Sequence, residues 1–222
     1  MKERKIEIEY QFAQLEELSQ EEQNLVEKAI AATQNSYANY SHFYVGASCL
    51  LEDGSIVIGA NQENAAFPSG LCAERTAVFA AQANHPELSI KTIAIAARND
   101  NGFLKNPISP CGACRQVILE IEDRYKQPVR ILLYGTEGIY CFRSIKDLLP
   151  FSFVDANMRS LFQQIADYNT YHLRLQSIQH VADLYETGMH VGCVPIFLIS
   201  ILSLEEFIPC PHPVFHKQKT ET

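Results

Sequence analysis

Val45-Gly46-Ala47-Ser48-Cys49-Leu50-Leu51-Glu52, then Asp53-Gly54, then Ile56-Val57-Ile58-Gly59-Ala60, is the stretch from which the architecture is read. Two apolar runs separated by Asp-Gly are a strong hairpin signal, because that dipeptide accepts the positive φ angles of a tight turn. Downstream, helix-type and strand-type patterns alternate up to about residue 150. Residues 72–84 carry Ala77, Val78, Ala80 and Ala81 at helical spacing. Ile90 to Ala97 is continuously apolar, as in the middle of a sheet. Residues 99–110 contain Pro107 and Pro110 and read as loop, followed by a helix from about Cys111 to Tyr125 and a buried strand from Val129 to Tyr134. Ile139 to Phe142 reads as a short edge strand and Ser144 to Leu149 as a short last helix. This alternation predicts an α/β fold, a three-layer α/β/α sandwich around a mixed, mainly five-stranded sheet.

Upstream, Ile6, Ile8, Tyr10 and Phe12 alternate with polar residues, which predicts a half-buried strand or extended arm. Ser19-Gln20-Glu21-Glu22 is a capping box, and a helix is expected from there to about Asn35 with Leu25, Val26, Ala29 and Ile30 inward. Beyond Phe153 the pattern loses its regularity. The expectation is a domain over residues 1–155 and a C-terminal extension over 156–222 of unassigned role.

The chain has 222 residues and a formal net charge of −8. No stripe of Lys and Arg is present to neutralise phosphates, so no nucleic-acid partner is expected. The longest apolar run, Val191 to Leu204, is interrupted by Pro195 and is shorter than the roughly 20 residues of a membrane span. Met1 to Tyr10 lacks the apolar segment of a secretory signal. No membrane partner is expected, and the location is read as cytoplasmic. Seven cysteines without a secretion signal argue against a disulfide framework and toward metal or catalytic use of the clustered ones.

Two helix starts gather the chemistry: Leu71-Cys72-Ala73-Glu74-Arg75 and Ser109-Pro110-Cys111-Gly112-Ala113-Cys114-Arg115. Thiols three apart at a helix start can face one point, and the free N–H groups there favour thiolates. Helix N-termini of an α/β sheet gather at the carboxyl ends of its strands. Cys72 can therefore join Cys111 and Cys114 across 39 positions of sequence. Three protein ligands with an open fourth position are the pattern of catalytic zinc. Glu74, two residues past Cys72, suits proton transfer. Read singly, C-x-x-C is more often a structural zinc half-site or a redox pair. Read jointly, C-x-E followed by P-C-x-x-C is the zinc pattern of deaminases with cysteine in place of histidine. Cys49 and Cys141 fall on strands and are expected to be inert core residues. Cys193, Cys210, His212 and His216 fit no zinc module by spacing.

The residues 61–65 and 72–77, together with Phe43-Tyr44-Val45-Gly46-Ala47, Ser109 to Gln116 and Leu148-Leu149-Pro150, strongly resemble cytidine deaminase over roughly residues 20–155. The branch resembled is the small, all-cysteine, homotetrameric one. The resemblance implies one Zn²⁺ per subunit and zinc-dependent hydrolytic deamination of cytidine and deoxycytidine to uridine and deoxyuridine plus ammonia, in pyrimidine salvage. It implies Cys72, Cys111 and Cys114 as ligands, Glu74 as the catalytic proton carrier, and Arg75 beside the ligand sulfurs. Phe43, Asn61, Gln62, Glu63 and Ala73 match the family's substrate-binding positions, with Asn61 and Glu63 as the ribose pair, Phe43 on the pyrimidine and Ala73 binding the base through its backbone. Phe67, where the family often has Tyr, and Phe153, near Phe151, match positions that act across subunits of a homotetramer.

Four other readings compete with this one, of which a tRNA or DNA base editor would usually show a histidine ligand and a basic surface, and neither is present. An aminonucleoside deaminase of the blasticidin type would keep the zinc and Glu74, but Phe43 and the Asn61/Glu63 pair favour cytidine. A non-catalytic zinc module has no use for Glu74, and a thiol redox protein leaves Cys72 without a role.

Overall fold

Residues 1–154 and 158 are described by a computed structural model of the chain. The rest of the extension expected over 156–222, with Cys193, Cys210, His212, His216 and the apolar run from Val191, lies outside the described residues. The Asp53-Gly54 turn does what its composition predicts. Gly54 has φ +87°, and the strands β2 (Tyr44–Leu51) and β3 (Ile56–Ala60) pair antiparallel around it. β2 pairs on its other side with β4 (Ile90–Asn99), also antiparallel. β3 and β4 therefore run in one direction although they are not neighbours. β6 (Arg130–Gly135) lies parallel to β4, and β7 (Gly138–Phe142) returns antiparallel to β6.

The sheet is mixed, as expected, but among the described residues it has seven strands rather than five, in the order β1 (Gln11–Ala13), β7, β6, β4, β2, β3, with β5 (Gly102–Phe103) on β4. The two additions are short. β5 (Gly102–Phe103) folds back on the end of β4, inside the stretch expected to be loop. β1 (Gln11–Ala13) is all that pairs of the alternating N-terminal stretch. It lies along β7, so β7 is not the edge it was expected to be. Aromatic contact holds this addition: the Tyr10 ring stacks on Phe142 at 5.6 Å and meets Tyr140 edge-on at 5.4 Å.

The strands' period of two divides the core in half. Ala47, Cys49, Leu51, Ile93, Ile95, Ile131 and Leu133 face one side, whereas Leu50, Ala94, Ala96 and Leu132 face the other. The second side is covered by α1 (Gln20–Ala32), which buries Leu25, Val26, Ala29 and Ala32. Its start is the predicted capping box. Ser19 accepts from the Glu22 N–H, and Glu22 accepts from the Ser19 N–H. Past Ala32 the expected helix tightens into a 3₁₀ turn, Thr33–Asn35.

The first side carries α2 (Ala73–Asn84) and α3 (Gly112–Tyr125), completing three layers. α2 follows β3 and α3 follows β4, so both helices begin at the same end of the sheet. α2 brings Ala73 and Ala77 against β3. Gly59 meets it so closely that an added Cβ would lie 2.3 Å from the Ala77 nitrogen and 2.6 Å from the Ala73 carbonyl. That approach fixes where α2 starts. The expected last helix is one 3₁₀ turn, Ile145–Asp147, capped by Ser144.

Candidate zinc centre and active site

Cys72 and Cys111 occupy equivalent places as the N-cap residues of α2 and α3, each with extended backbone angles. Cys114 follows in the first turn of α3 and is buried, while Cys72 is half-buried and Cys111 exposed. The two helix starts bring the three sulfurs within 4.8 Å of one another. Cys72 Sγ lies 3.8 Å from Cys111 Sγ, and Cys111 Sγ 3.4 Å from Cys114 Sγ. Sulfurs at tetrahedral positions about 2.3 Å from one zinc stand about 3.8 Å apart. The cluster fits one zinc ion per subunit, with three thiol donors of the kind zinc prefers and an exposed side for a fourth.

The electrostatics divide the thiols. Hydrogen bonding from the Cys114 thiol, then from Arg75, draws the Cys72 thiol down to about 5. The same sharing with Cys72, together with desolvation, pushes Cys114 up. Arg75 donates from Nη2 to Cys72 Sγ at 3.8 Å. Glu74 is 4% exposed at the first turn of α2, on the face that also buries Ala73, Ala77 and Val78. Desolvation, and then the charge of Cys72, raises its carboxyl above the ordinary carboxylate range. A carboxyl held in that state is suited to taking and returning a proton. Cys49 and Cys141 are buried on strands, and desolvation pushes both thiols up, in keeping with inert core residues.

Beside Cys72 opens a cleft of about 310 Å³, lined by Tyr40, Asn61, Gln62, Glu63, Phe67 and Cys72 among others. A model of the cytidine and deoxycytidylate deaminase zinc-binding region matches residues 19–127. The cytidine deaminase of Halalkalibacterium halodurans is 39% identical over 136 residues, 61% of this chain and 96% of that one. The chain belongs to the cytidine deaminase family. The cytidine deaminase of Mycobacterium tuberculosis is 36% identical over 128 residues, 56% of this chain and 84% of its own. A solved cytidine deaminase from Burkholderia pseudomallei superposes with a TM-score of 0.50 at 39% identity, covering 59% of this chain and 97% of that one.

Of the motif residues, Asn61, Gln62, Glu63 and Phe67 line the cleft with Cys72, whereas Phe43 and Ala73 are not among its lining residues. Asn61 engages backbone on both amide atoms: Oδ1 accepts from the Val45 N–H at 2.8 Å and Nδ2 donates to the Phe43 carbonyl at 2.9 Å. Gln62 donates from its side chain to the Asn35 carbonyl at 3.1 Å, and its backbone exchanges both hydrogen bonds with Leu71. Glu63 Oε2 accepts from the N–H groups of Tyr40 at 2.8 Å and Ser41 at 3.3 Å. Phe43 is half-buried against the core, and Ala73 is buried at the first position of α2. Phe67 is 74% exposed, its ring edge-on to Tyr40 at 5.8 Å, and Phe153 is 58% exposed.

Two residues of the second helix start have roles that reasoning from sequence missed. Arg115 donates to the Pro110 carbonyl at 2.7 Å, the Leu148 carbonyl at 2.6 Å and Ser109 Oγ at 3.1 Å, tying the loop before Cys111 to the end of the domain. Gln116 donates to the Phe153 carbonyl at 2.8 Å. Both stand in the quoted motif, but spacing alone assigns neither a partner.

Proposed function

We propose that this chain is a zinc-dependent hydrolase that converts cytidine and deoxycytidine to uridine and deoxyuridine with release of ammonia, by hydrolysis of a cyclic amidine C–N bond in pyrimidine salvage. The observation that carries this reading is the convergence of three sulfurs from two helix starts beside a buried carboxyl in the first turn of α2. Cys72, Cys111 and Cys114 hold the zinc. The ion, when bound, supplies Lewis acidity that makes water nucleophilic near neutral pH.

The chain's own part is binding and proton traffic. Glu74 takes the proton of the attacking water, passes it to the pyrimidine N3, and later helps protonate the departing amine. Arg75 offsets the charge of three thiolates on a divalent ion, a net of −1 that would otherwise weaken it as an acid. The cleft beside Cys72 takes the nucleoside. Phe43 faces the pyrimidine, Ala73 offers its backbone to the base, and Asn61, Gln62 and Glu63 lie toward the sugar. Asn61 keeps one further N–H and Glu63 its second carboxylate oxygen for that purpose. The cleft lining carries the single carboxylate of Glu63 and no Lys or Arg, which suits a neutral nucleoside.

The test is an absorbance assay on cytidine and deoxycytidine, with Glu74→Gln and a zinc chelator as controls. Glu74→Gln is expected to keep its zinc and lose on the order of 10²–10⁴ in rate. A variant that keeps full activity overturns the mechanism.

Residues 1–155 form the catalytic domain in this reading, and 156–222 an extension that catalysis does not need. Support comes from a relative that is itself covered to 96% while covering 61% of this chain. Limited proteolysis yielding a stable, fully active core of about residues 1–155 is the expected result; an inactive core refutes it. The assembly is read as a cytoplasmic homotetramer in which Phe67 and Phe153 reach neighbouring sites, as their exposure suggests. Sedimentation at the monomer mass refutes the tetramer. Among the described residues no helix is long and apolar enough to cross a membrane.

A further inference from the structure

Asn61 stands one residue past the end of β3, where the strand ladder should stop. Its backbone N–H still donates to the Val45 carbonyl at 3.2 Å. Its side chain then continues the ladder, accepting from the Val45 N–H at 2.8 Å and donating to the Phe43 carbonyl at 2.9 Å. Three backbone groups leading into β2 are thereby held by one residue. Two positions on, Glu63 holds the other side of the same segment through the N–H groups of Tyr40 and Ser41.

Between these two grips lies His42, with φ +54°. That is the left-handed region, which a side chain bearing a Cβ enters at a cost. The chain turns there before Phe43, and such a turn persists only where its surroundings enforce it. A residue held in a costly conformation directly before Phe43 makes the direction of that ring sensitive to whatever fixes the backbone around it.

We infer that Asn61 is a positioning residue for Phe43. Its amide fixes the backbone on both sides of Tyr44 and so sets the face on which the pyrimidine lies, apart from any contact with the sugar. This rests on reading the cleft as the nucleoside site with Phe43 against the base. A displacement of about 1 Å in such a surface can cost on the order of 10²-fold in rate. An amide that merely completed a turn would affect stability without depending on Phe43.

The experiment is a double-mutant cycle on the zinc-loaded full chain, with Asn61→Ala, Phe43→Ala and the pair, assayed on cytidine and on 2′,3′-dideoxycytidine. Asn61→Ala is expected to lower kcat/KM by about 10²-fold on both substrates. In the Phe43→Ala background the same change is expected to cost less than about threefold, because the two effects pass through one ring. Additive losses, or a loss confined to the substrate bearing sugar hydroxyls, overturn the inference. Asn61→Asp serves where Asn61→Ala does not fold. It keeps an acceptor for the Val45 N–H but sets a carboxylate oxygen against the Phe43 carbonyl, and the same pattern is expected.

A readout without turnover separates this inference from the functional reading. The chain has no tryptophan, so Phe43→Trp places a single reporter at the site. Adding Asn61→Ala or Asn61→Asp to it is expected to shift the emission to the red and lower its anisotropy. Unchanged emission and anisotropy overturn the inference whatever the activity. Absence of wild-type activity on cytidine bears on the functional reading alone.

Discussion

The guanidinium of Arg75 reaches back along α2 and donates from Nη2 to the sulfur of Cys72 across 3.8 Å. Its Nε is buried with no hydrogen-bond partner among the described residues. A buried donor left without an acceptor is costly, and the field of the neighbouring thiolates is what offsets it. Arg75→Gln keeps some hydrogen-bonding capacity and removes the positive charge. The fold is expected to survive, with zinc affinity or activity lower by about 10–100-fold, the usual effect of losing a group that supports metal ligands. Competition with a chelator measures the affinity. Unchanged zinc content together with unchanged activity would sink the assignment.

Removing the metal separates two classes of cysteine. In a variant with Cys193 and Cys210 replaced by serine, five thiols remain. Cys72, Cys111 and Cys114 are expected to become reactive toward a disulfide reagent once zinc is stripped, with exposed Cys111 leading. Cys49 and Cys141, buried and with their thiols pushed up, are expected to react only after unfolding. Five thiols reacting in the native, zinc-loaded protein contradict this division.

Acid weakens the grip of Glu63. The Ser41 hydroxyl, then the Tyr40 N–H, hold its carboxyl below the ordinary value of 4.5. A carboxyl lowered by folding contributes stability that is full above its unfolded value. The contribution is lost as pH falls through the lower, folded value. Wild type is therefore expected to lose stability more steeply than Glu63→Gln as pH falls below the ordinary value of 4.5, by urea unfolding at successive pH values. Parallel curves for the two proteins remove Glu63 from the acid response.

Glu122 holds the far end of α3. It is 4% exposed, yet Oε1 accepts from the N–H groups of Val129 and Ile145, both at 2.9 Å, and Ser144 Oγ lies 2.8 Å from Oε2. Glu122→Ala leaves two buried amides unpaired, and a loss of about 3 kcal/mol is expected. The metal-binding end of the helix lies two turns or more away, so zinc stoichiometry in the folded fraction is expected to stay at one. A loss below about 0.5 kcal/mol is incompatible with the role assigned.

The convergence of Cys72, Cys111 and Cys114 was legible because its chemistry is local. Cys72 and Cys111 each cap a helix, and residue type plus helix position states what each can bind. The hairpin at Gly54 and the cap at Ser19 were legible for the same reason. What escaped was pairing between distant segments. Ile139–Phe142 reads as an edge because a period of two does not say which strand lies beside it, and Gln11–Ala13 fills the place. Asn61 and Glu63 were read as sugar ligands, and their present partners are backbone groups about twenty positions upstream. No residue type announces a left-handed φ at His42 or the three carbonyl and hydroxyl partners of Arg115.

The antiparallel register of β2 against β4, with Ala47 opposite Ile95, has a consequence for how errors in assembly are detected. A slip of two residues there would leave every side chain on its proper face, so burial alone would penalise it weakly. The same slip would carry Cys72, which hangs from β2 through β3 and α2, about 7 Å past Cys111, which follows β4. Sulfurs that stand 3.8 Å apart in the correct register would then share no ion. A zinc ion held by the three sulfurs would act as a vernier on the sheet, since only the chain aligned to the residue would gain its binding free energy.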